Sequence, residues 1–161
     1  MHAEARSFIA SQLFRQTFDF AIEIGGRDIN GNIRDLVMCR EYLSIDTIDG
    51  PGVDVVADCR EWVPPKCADL VVCCEVLEHV EDPESIIHAA GKYLCANGLL
   101  VLTCAGPGRK PHSGIDGEAV REGEHYENIE PENMRRWLKE WDDVHVWYSA
   151  GPSDIYATAR W

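Results

Sequence analysis

The stretch ADLVVCCEVLEHVEDP, residues 68–83, carries the strongest structural signal in the sequence. Within it, residues 69–74 are apolar after the first position, which is typical of a strand buried on both faces of a sheet. Pro83 stands where the first turn of a helix tolerates proline, and a helical pattern follows over residues 84–96. The stretch therefore predicts a buried strand, a polar connection and a helix in succession.

Strands and helices alternate outward from this unit in both directions. Apolar alternation and turn residues predict seven strands in total, at residues 18–25, 42–45, 53–57, 69–74, 99–104, 143–149 and 154–160. Helical spacing predicts further helices at residues 3–16, at residues 30–39 and from Pro131 onward, the last with a buried stripe of Met134, Trp137, Leu138 and Trp141. The pattern indicates an α/β fold, a doubly wound Rossmann-like sandwich with a mostly parallel seven-stranded sheet and an antiparallel C-terminal edge strand.

The composition is that of one acidic globular domain. The 161 residues carry a formal net charge of −13, and 45% of them are hydrophobic and 27% charged. We expect a single domain over residues 1–161, with an N-terminal helix in residues 1–17 and a substrate loop in residues 105–130. An acidic chain lacks the basic face that nucleic acids and anionic membranes bind, so neither is an expected partner. The sequence shows no apolar run of about 20 residues and no signal peptide, which predicts a cytoplasmic protein.

The seven cysteines are odd in number, form no CxxC pair and lie mostly in apolar runs. This pattern favours small core residues in a reducing compartment over a disulfide or a metal site. We therefore predict reduced cysteines and no bound metal.

Polar residues and glycines recur at the points where the predicted parallel strands end. Such ends meet at one edge of a doubly wound sheet, where ligands bind. Two glycines after the first strand permit a close backbone approach, and the helix predicted at residues 30–39 would aim its N-terminal N–H groups there. The carboxylate of Asp46, about 20 residues farther on, can accept hydrogen bonds from both hydroxyls of a ribose. These positions predict a nucleoside-type ligand bound by Glu23, Gly25, Gly26, Arg27, Asp46, Thr47, Asp58, Cys59, Cys74, Glu75 and His79.

Residues 68–83 resemble the fourth-strand motif of class I S-adenosylmethionine-dependent methyltransferases of the small-molecule type. Residues 91–102 (GKYLCANGLLVL) are similar to the helix and strand that follow that motif, and the resemblance covers residues 18–105. It implies S-adenosylmethionine as the cofactor, S-adenosylhomocysteine as the product and a small molecule as the methyl acceptor. It also implies that Asp46 holds the ribose hydroxyls, that Asp58 contacts the adenine amino group and that Cys59 donates from its backbone.

The glycine turn departs from the first motif of that family, which has three alternating glycines. Arg27 and Ile29 stand where the second and third glycines are expected, and Gly31 comes later. The segment from Glu23 to Gly26 still resembles the start of the motif. The resemblance implies that Glu23 orients the turn or reaches the cofactor's ammonium group through water.

The irregular segment 105–130 supplies most of the catalytic candidates, since a long loop after the fifth strand lies where a substrate lid would lie. His112 and His125 in this segment, with Glu75 and His79 after the fourth strand, are candidate general bases, and Tyr126 is a candidate donor or positioning group. A base is needed only if the acceptor arrives protonated, because methyl transfer depends mainly on alignment and desolvation. Three histidines have no such setting and are set aside: His2, His88 and His145.

Two alternatives to a methyltransferase stay open. A nicotinamide-dependent oxidoreductase also uses a glycine turn and an acidic second-strand end, but the fingerprint GxGxxG is absent and 161 residues leave no room for a further catalytic domain. A non-catalytic S-adenosylmethionine-binding or scaffold subunit with the same fold would fit the altered glycine turn. The sequence decides neither the methyl acceptor nor the oligomeric state.

Overall fold

The computed structural model describes residues 2–151 and 153–161. These residues form one seven-stranded sheet with helices on both faces. Along the chain the elements are α1 (Ala3–Leu13), β1 (Phe18–Ile24), β2 (Cys39–Asp46), β3 (Val55–Val56), β4 (Ala68–Cys74), α2 (Pro83–Tyr93), β5 (Leu94–Ala105), α3 (Pro131–Trp137), β6 (Asp142–Ser149) and β7 (Asp154–Arg160). Two short 3₁₀ turns lie at Arg34–Leu36 and Leu77–His79. None of the described helices is long and apolar enough to cross a membrane.

The strands lie in the order β3-β2-β1-β4-β5-β7-β6. The first five in this order pair in parallel, and β7 runs antiparallel to both of its neighbours. This arrangement confirms the predicted fold class. It differs in one detail, because the C-terminal strand β7 lies between β5 and β6, and β6 forms the edge. The inner position follows from the long register between β5 and β7, which pairs Leu99 with Arg160 and Ala105 with Asp154.

Strand β4 is apolar except at Asp69 because both of its faces are covered. Val71 and Cys73 belong to a core that includes residues of α2 and α3, whereas Leu70 and Val72 pack with residues of α1. The start of α2 is fixed by Asp82, whose side chain accepts a hydrogen bond from the backbone N–H of Ser85 at 3.3 Å. The unit predicted from residues 68–83 is therefore the centre of the fold.

The helix predicted at residues 30–39 is absent, and a single 3₁₀ turn at Arg34–Leu36 stands in its place. Asp28 explains the difference, since its carboxylate accepts a hydrogen bond from the Gly31 backbone N–H at 2.7 Å and another from the Asn32 side chain at 3.2 Å. Such side-chain bonds compete with the backbone bonds of a helix. The glycine turn therefore has no helix N-terminus behind it, contrary to the sequence-based prediction. Strand β2 also begins earlier than predicted, and β3 is shorter.

One pair of cysteines contradicts the prediction that all seven are reduced. Cys67 and Cys95 form a disulfide with an S–S distance of 2.11 Å. They stand beside paired residues at the start of β4 and β5, where Ala68 lies opposite Leu94. Strand pairing thus brings together two residues that are 28 positions apart in the sequence. The five other cysteines are free: buried Cys59, Cys73, Cys74 and Cys104, and half-buried Cys39.

Residues 106–130 form neither helix nor strand and lie over the carboxyl ends of the parallel strands. The segment is anchored at its end by backbone hydrogen bonds from Glu127 to Glu78 and from Ile129 to Ala105, both at 2.9 Å. Beyond it, Met134 and Leu138 are fully buried beneath the sheet, and Trp137 and Trp141 are half-buried, so the predicted apolar stripe is present.

Candidate functional site

A cavity of about 420 Å³ opens at the carboxyl ends of β1, β2, β3 and β4. We call it the first cavity. Eight of the residues predicted from the sequence to bind a cofactor line it: Gly25, Arg27, Asp46, Thr47, Asp58, Cys59, Glu75 and His79. The catalytic candidate His125 lines it as well. Three other predicted residues, Glu23, Gly26 and Cys74, do not line this cavity.

The glycine turn lies directly on neighbouring side chains. Gly25 has a φ of +75°, and a Cβ atom there would lie 2.1 Å from Val76 Cγ2. A Cβ atom on Gly26 would lie 2.0 Å from Ser44 Oγ and 2.7 Å from a carboxylate oxygen of Glu23. Residues other than glycine cannot occupy this turn without displacing its supports.

Glu23 lies beneath the turn instead of in the cavity. Its side chain is buried, and the Tyr42 hydroxyl donates a hydrogen bond to it at 2.6 Å. Burial raises the pKa of Glu23 to about 7, because the low-polarity interior disfavours the charged form. Glu23 can therefore act on a ligand only through the turn that it supports.

Two carboxylates project from adjacent strand ends into the first cavity. Asp46 accepts hydrogen bonds from the backbone N–H groups of Arg27 at 3.3 Å and Ile48 at 2.9 Å, which hold its side chain in place. Asp58 forms an ion pair with Arg60, and this guanidinium lowers the pKa of Asp58. Both groups are positioned to accept hydrogen bonds from a hydroxylated or amino-bearing ligand.

Arg27 connects the glycine turn to the segment above it. Its guanidinium donates hydrogen bonds to the backbone carbonyls of Gly114 at 3.2 Å and Ile115 at 3.1 Å. The residue that replaces a motif glycine therefore fastens the 106–130 segment over the first cavity. Nothing in the local sequence indicated this contact, because its partners lie far away along the chain.

A second cavity of about 880 Å³ adjoins the first. The two share Ile29, Glu75, His79 and Gly114 in their linings. The rest of its lining comes mainly from the 106–130 segment, with His2 and Asn30 from earlier in the chain. The irregular segment predicted as a substrate loop thus forms most of the wall of this cavity.

Three catalytic candidates meet at this place in a group that we call the ring cluster: His79, His112 and Tyr126. The ring centroids of His79 and His112 are 5.0 Å apart, and that of Tyr126 lies 5.5 Å from the first and 5.0 Å from the second. Burial is the main cause that lowers the pKa of His79 to about 4, and nearby His112 adds to it. His79 is therefore a neutral imidazole near pH 7.

A second group, the charge cluster, consists of His2, Glu75, Arg109 and Asp154. Asp154 is fully buried and forms ion pairs with Arg109 and, at 2.9 Å, with His2. Glu75 Oε2 lies 3.6 Å from His2 and 3.7 Å from Arg109, so two cations face two carboxylates. Asp154 and then Glu75 raise the pKa of His2 to about 10. The sequence analysis set His2 aside, and the partners that hold it lie far along the chain.

Comparison with known proteins agrees with this geometry. A family model described as a methyltransferase domain matches residues 11–142. The chain belongs to the methyltransferase family. The glycine turn, the first cavity and the Arg27 contact all lie within the matched residues.

Solved structures show that the domain has the class I methyltransferase fold. The N-methyltransferase NodS from Bradyrhizobium japonicum WM9, solved with S-adenosyl-L-homocysteine, has a TM-score of 0.68 at 18% identity, and the match covers 98% of this chain and 85% of NodS. DhpI, also in complex with S-adenosylhomocysteine, has a TM-score of 0.69 at 17% identity, with 98% and 84% covered. A Burkholderia thailandensis 1,6-didemethyltoxoflavin-N1-methyltransferase has 0.67 at 11%, with 98% and 76% covered. No curated protein matches the sequence of this chain.

Proposed function

We propose that this chain is an S-adenosylmethionine-dependent methyltransferase that acts on a small molecule. The observation that carries the proposal is the placement of Asp46 and Asp58 beside the glycine turn in the wall of one cavity. Family membership supports it, as do structural relatives that were solved with S-adenosylhomocysteine. The net charge of −13 favours a small molecule over a nucleic acid as the acceptor.

The residues present fit this cofactor. A volume of about 420 Å³ lies within the range of small-molecule sites. Asp46 would accept hydrogen bonds from the ribose hydroxyls. Asp58 would accept a hydrogen bond from the adenine amino group, and the backbone of Cys59 lies beside it. Gly25 has no side chain, so the amino-acid part of the cofactor could lie close to the backbone of the turn. Carboxylates suit a ligand that carries a cationic sulfur and an ammonium group.

Bound S-adenosylmethionine supplies a methyl group that is activated by a positively charged sulfur. The chain itself aligns the acceptor and keeps water away. The 106–130 segment, fastened by Arg27, covers the first cavity and forms the wall of the second. Glu75, Ile29, His79 and Gly114 mark the place where the contents of the two cavities would meet. Alignment of this kind supplies much of the rate of a bimolecular reaction.

The ring cluster and His125 are the groups that would handle a proton of the acceptor. The Nδ1 atom of His112 lies 3.2 Å from the Lys110 carbonyl, so Nδ1 carries the hydrogen and Nε2 offers a lone pair. His79, with a pKa of about 4, is a weak base near neutral pH. Tyr126 would position the acceptor, and His125 would act from the side of the first cavity.

Calorimetric titration with S-adenosylmethionine and S-adenosylhomocysteine tests the cofactor site. Asp46→Asn keeps the shape of the side chain but removes its charge, so we expect a loss of affinity of about tenfold or more. Asp49→Asn is the matched control, since Asp49 is exposed in the neighbouring turn and does not line the cavity. A folded wild-type protein that binds neither ligand would overturn the proposal.

A second measurement addresses turnover. Release of S-adenosylhomocysteine is followed with a panel of small hydroxyl, amine and carboxylate acceptors. Turnover with one chemical class identifies the acceptor. Tight cofactor binding without turnover for any acceptor would instead favour a non-catalytic binding subunit.

A further inference from the structure

Two consecutive residues near the second cavity carry buried polar atoms that have no hydrogen-bond partner in residues 2–151 and 153–161. These atoms are Oε2 of Glu78 and Nδ1 of His79. Glu78 is fully buried, and only its other oxygen is paired, with the backbone N–H of Ala105 at 3.1 Å. Buried polar atoms are nearly always paired, so adjacent exceptions call for a group that satisfies both of them.

His112 adds a third donor atom to this place. One ligand-capable atom from each of Glu78, His79 and His112 lies within 4.8 Å of the other two. Two ligands of one ion, each about 2.1 Å from it, lie at most about 4.2 Å apart, so a side-chain adjustment of less than about 1 Å suffices. The Lys110 carbonyl holds Nδ1 of His112 at 3.2 Å and leaves Nε2 for the ion, which is the usual way a metal-binding imidazole is oriented.

We propose that Glu78, His79 and His112 form a binding site for a divalent transition-metal ion. Two imidazoles and one carboxylate are a ligand set that suits Zn²⁺, and three protein ligands leave a coordination position open. His79 lines both cavities and His112 lines the second, so the open position would face the acceptor. The ion also supplies positive charge to the Glu78 carboxylate, which forms no ion pair with any cation among the described residues.

The charge cluster does not offer a competing site of the same kind. The ligand atoms of His2, Glu75 and Asp154 also lie within 4.8 Å of one another. Their carboxylates already face the Arg109 guanidinium and the protonated His2 ring. A metal ion there would have to displace both cations, whereas the Glu78 site meets no such competitor.

An ion at this position would bind an oxygen or nitrogen of the acceptor and favour its deprotonated form. His79 and His112 would then hold the ion, and the proton of the acceptor would pass to His125 or to water. This use of the ion rests on the proposed methyl transfer, but binding of the ion does not. The sequence analysis predicted no metal from the cysteine pattern, and Glu78 and His112 are separated in the chain by a helix, a strand and part of a loop. The donor set is formed only in the folded chain.

The test is a titration of chelator-treated protein with Zn²⁺ in competition with a chromophoric chelator, followed by a Co²⁺ absorption spectrum. We expect one ion per chain, and a loss of affinity of at least tenfold in His112→Asn, His79→Asn and Glu78→Gln. His88→Asn is the matched control, since His88 is exposed on α2. Cys39→Ser excludes binding through the half-buried free thiol.

The outcomes separate the metal site from the cofactor site. Each variant is also examined by circular dichroism and thermal denaturation, which show that it is folded without relying on the cofactor site. His112→Asn alters a residue of the 106–130 segment and keeps the test valid if Glu78→Gln does not fold. Absence of Zn²⁺ binding in wild-type protein, or unchanged binding in both histidine variants, would overturn the metal site and point to a buried water. The cofactor proposal would stand in that case.

Discussion

The two cavities are built in different ways. The first is formed by short polar stretches that directly follow parallel strands, such as Gly25 after β1 and Asp46 at the end of β2. The second is formed mainly by one irregular segment and by His2 from the other end of the chain, which is held by its ion pair with buried Asp154. Backbone topology alone positions the first, whereas the second depends on long-range side-chain contacts. Substitutions should therefore separate the two sides of the site.

The largest effect is expected in the charge cluster. Asp154→Asn removes the buried carboxylate that faces both His2 and Arg109 and leaves them with Glu75 and, for His2, the exposed Glu4, so we expect the free energy of unfolding to fall by about 3 kcal/mol. Asp142→Asn on the exposed edge strand β6 is the control. Urea denaturation measures both. Equal stability of the two variants would mean that the charge cluster does not hold the second cavity together.

An intermediate effect is expected at the glycine turn, on the other side of the site. Gly26→Ala places a Cβ atom against Ser44 and Glu23, so we expect a destabilisation of about 2 kcal/mol together with weaker binding of S-adenosylhomocysteine. Gly151→Ala has open space around the new atom and serves as the control. Denaturation and calorimetry are the measurements. Unchanged cofactor affinity in a destabilised Gly26→Ala protein would contradict our account of the turn.

A pH-dependent effect at mildly alkaline pH distinguishes the charge cluster from the glycine turn. The pKa of His2 is about 10 in the folded protein and 6.5 ordinarily. Protonated His2 therefore contributes its full stabilisation below pH 6.5, and this contribution is lost as the pH rises toward 10. We expect the stability difference between wild type and His2→Gln to shrink over that window in urea denaturation. His88→Gln should show no such trend, and an equal trend in both would exclude His2 as the cause.

Local patterns predicted the first cavity because each of its features lies at one point in the sequence. The apolar run of β4, the glycines after β1 and the aspartates after β2 and β3 required only the rule that parallel strands end at the same edge. The failure at residues 30–39 was also local. The Asp28 carboxylate accepts a hydrogen bond from a backbone N–H group that a helix would need. The spacing of hydrophobic residues does not indicate such a bond.

Contacts between residues far apart in the chain could not be predicted from the sequence. The partners of His2 lie at Glu75 and Asp154, and no spacing rule joins them. The disulfide depends on the pairing of β4 with β5, which brings Cys67 beside Cys95. In the sequence, Arg27 only replaces an expected glycine of the motif. In the structure, its side chain holds the 106–130 segment over the first cavity.

The disulfide also changes how the chain is connected. Cys67 and Cys95 lie at the ends of β4 and β5 away from both cavities, and they enclose β4, the polar turn after it and α2 in one covalent loop. Glu81 and Asp82 are exposed in the middle of that loop. A protease that cuts there leaves the two fragments joined through sulfur. The nicked protein would keep both halves of its site on one molecule until a reductant releases them.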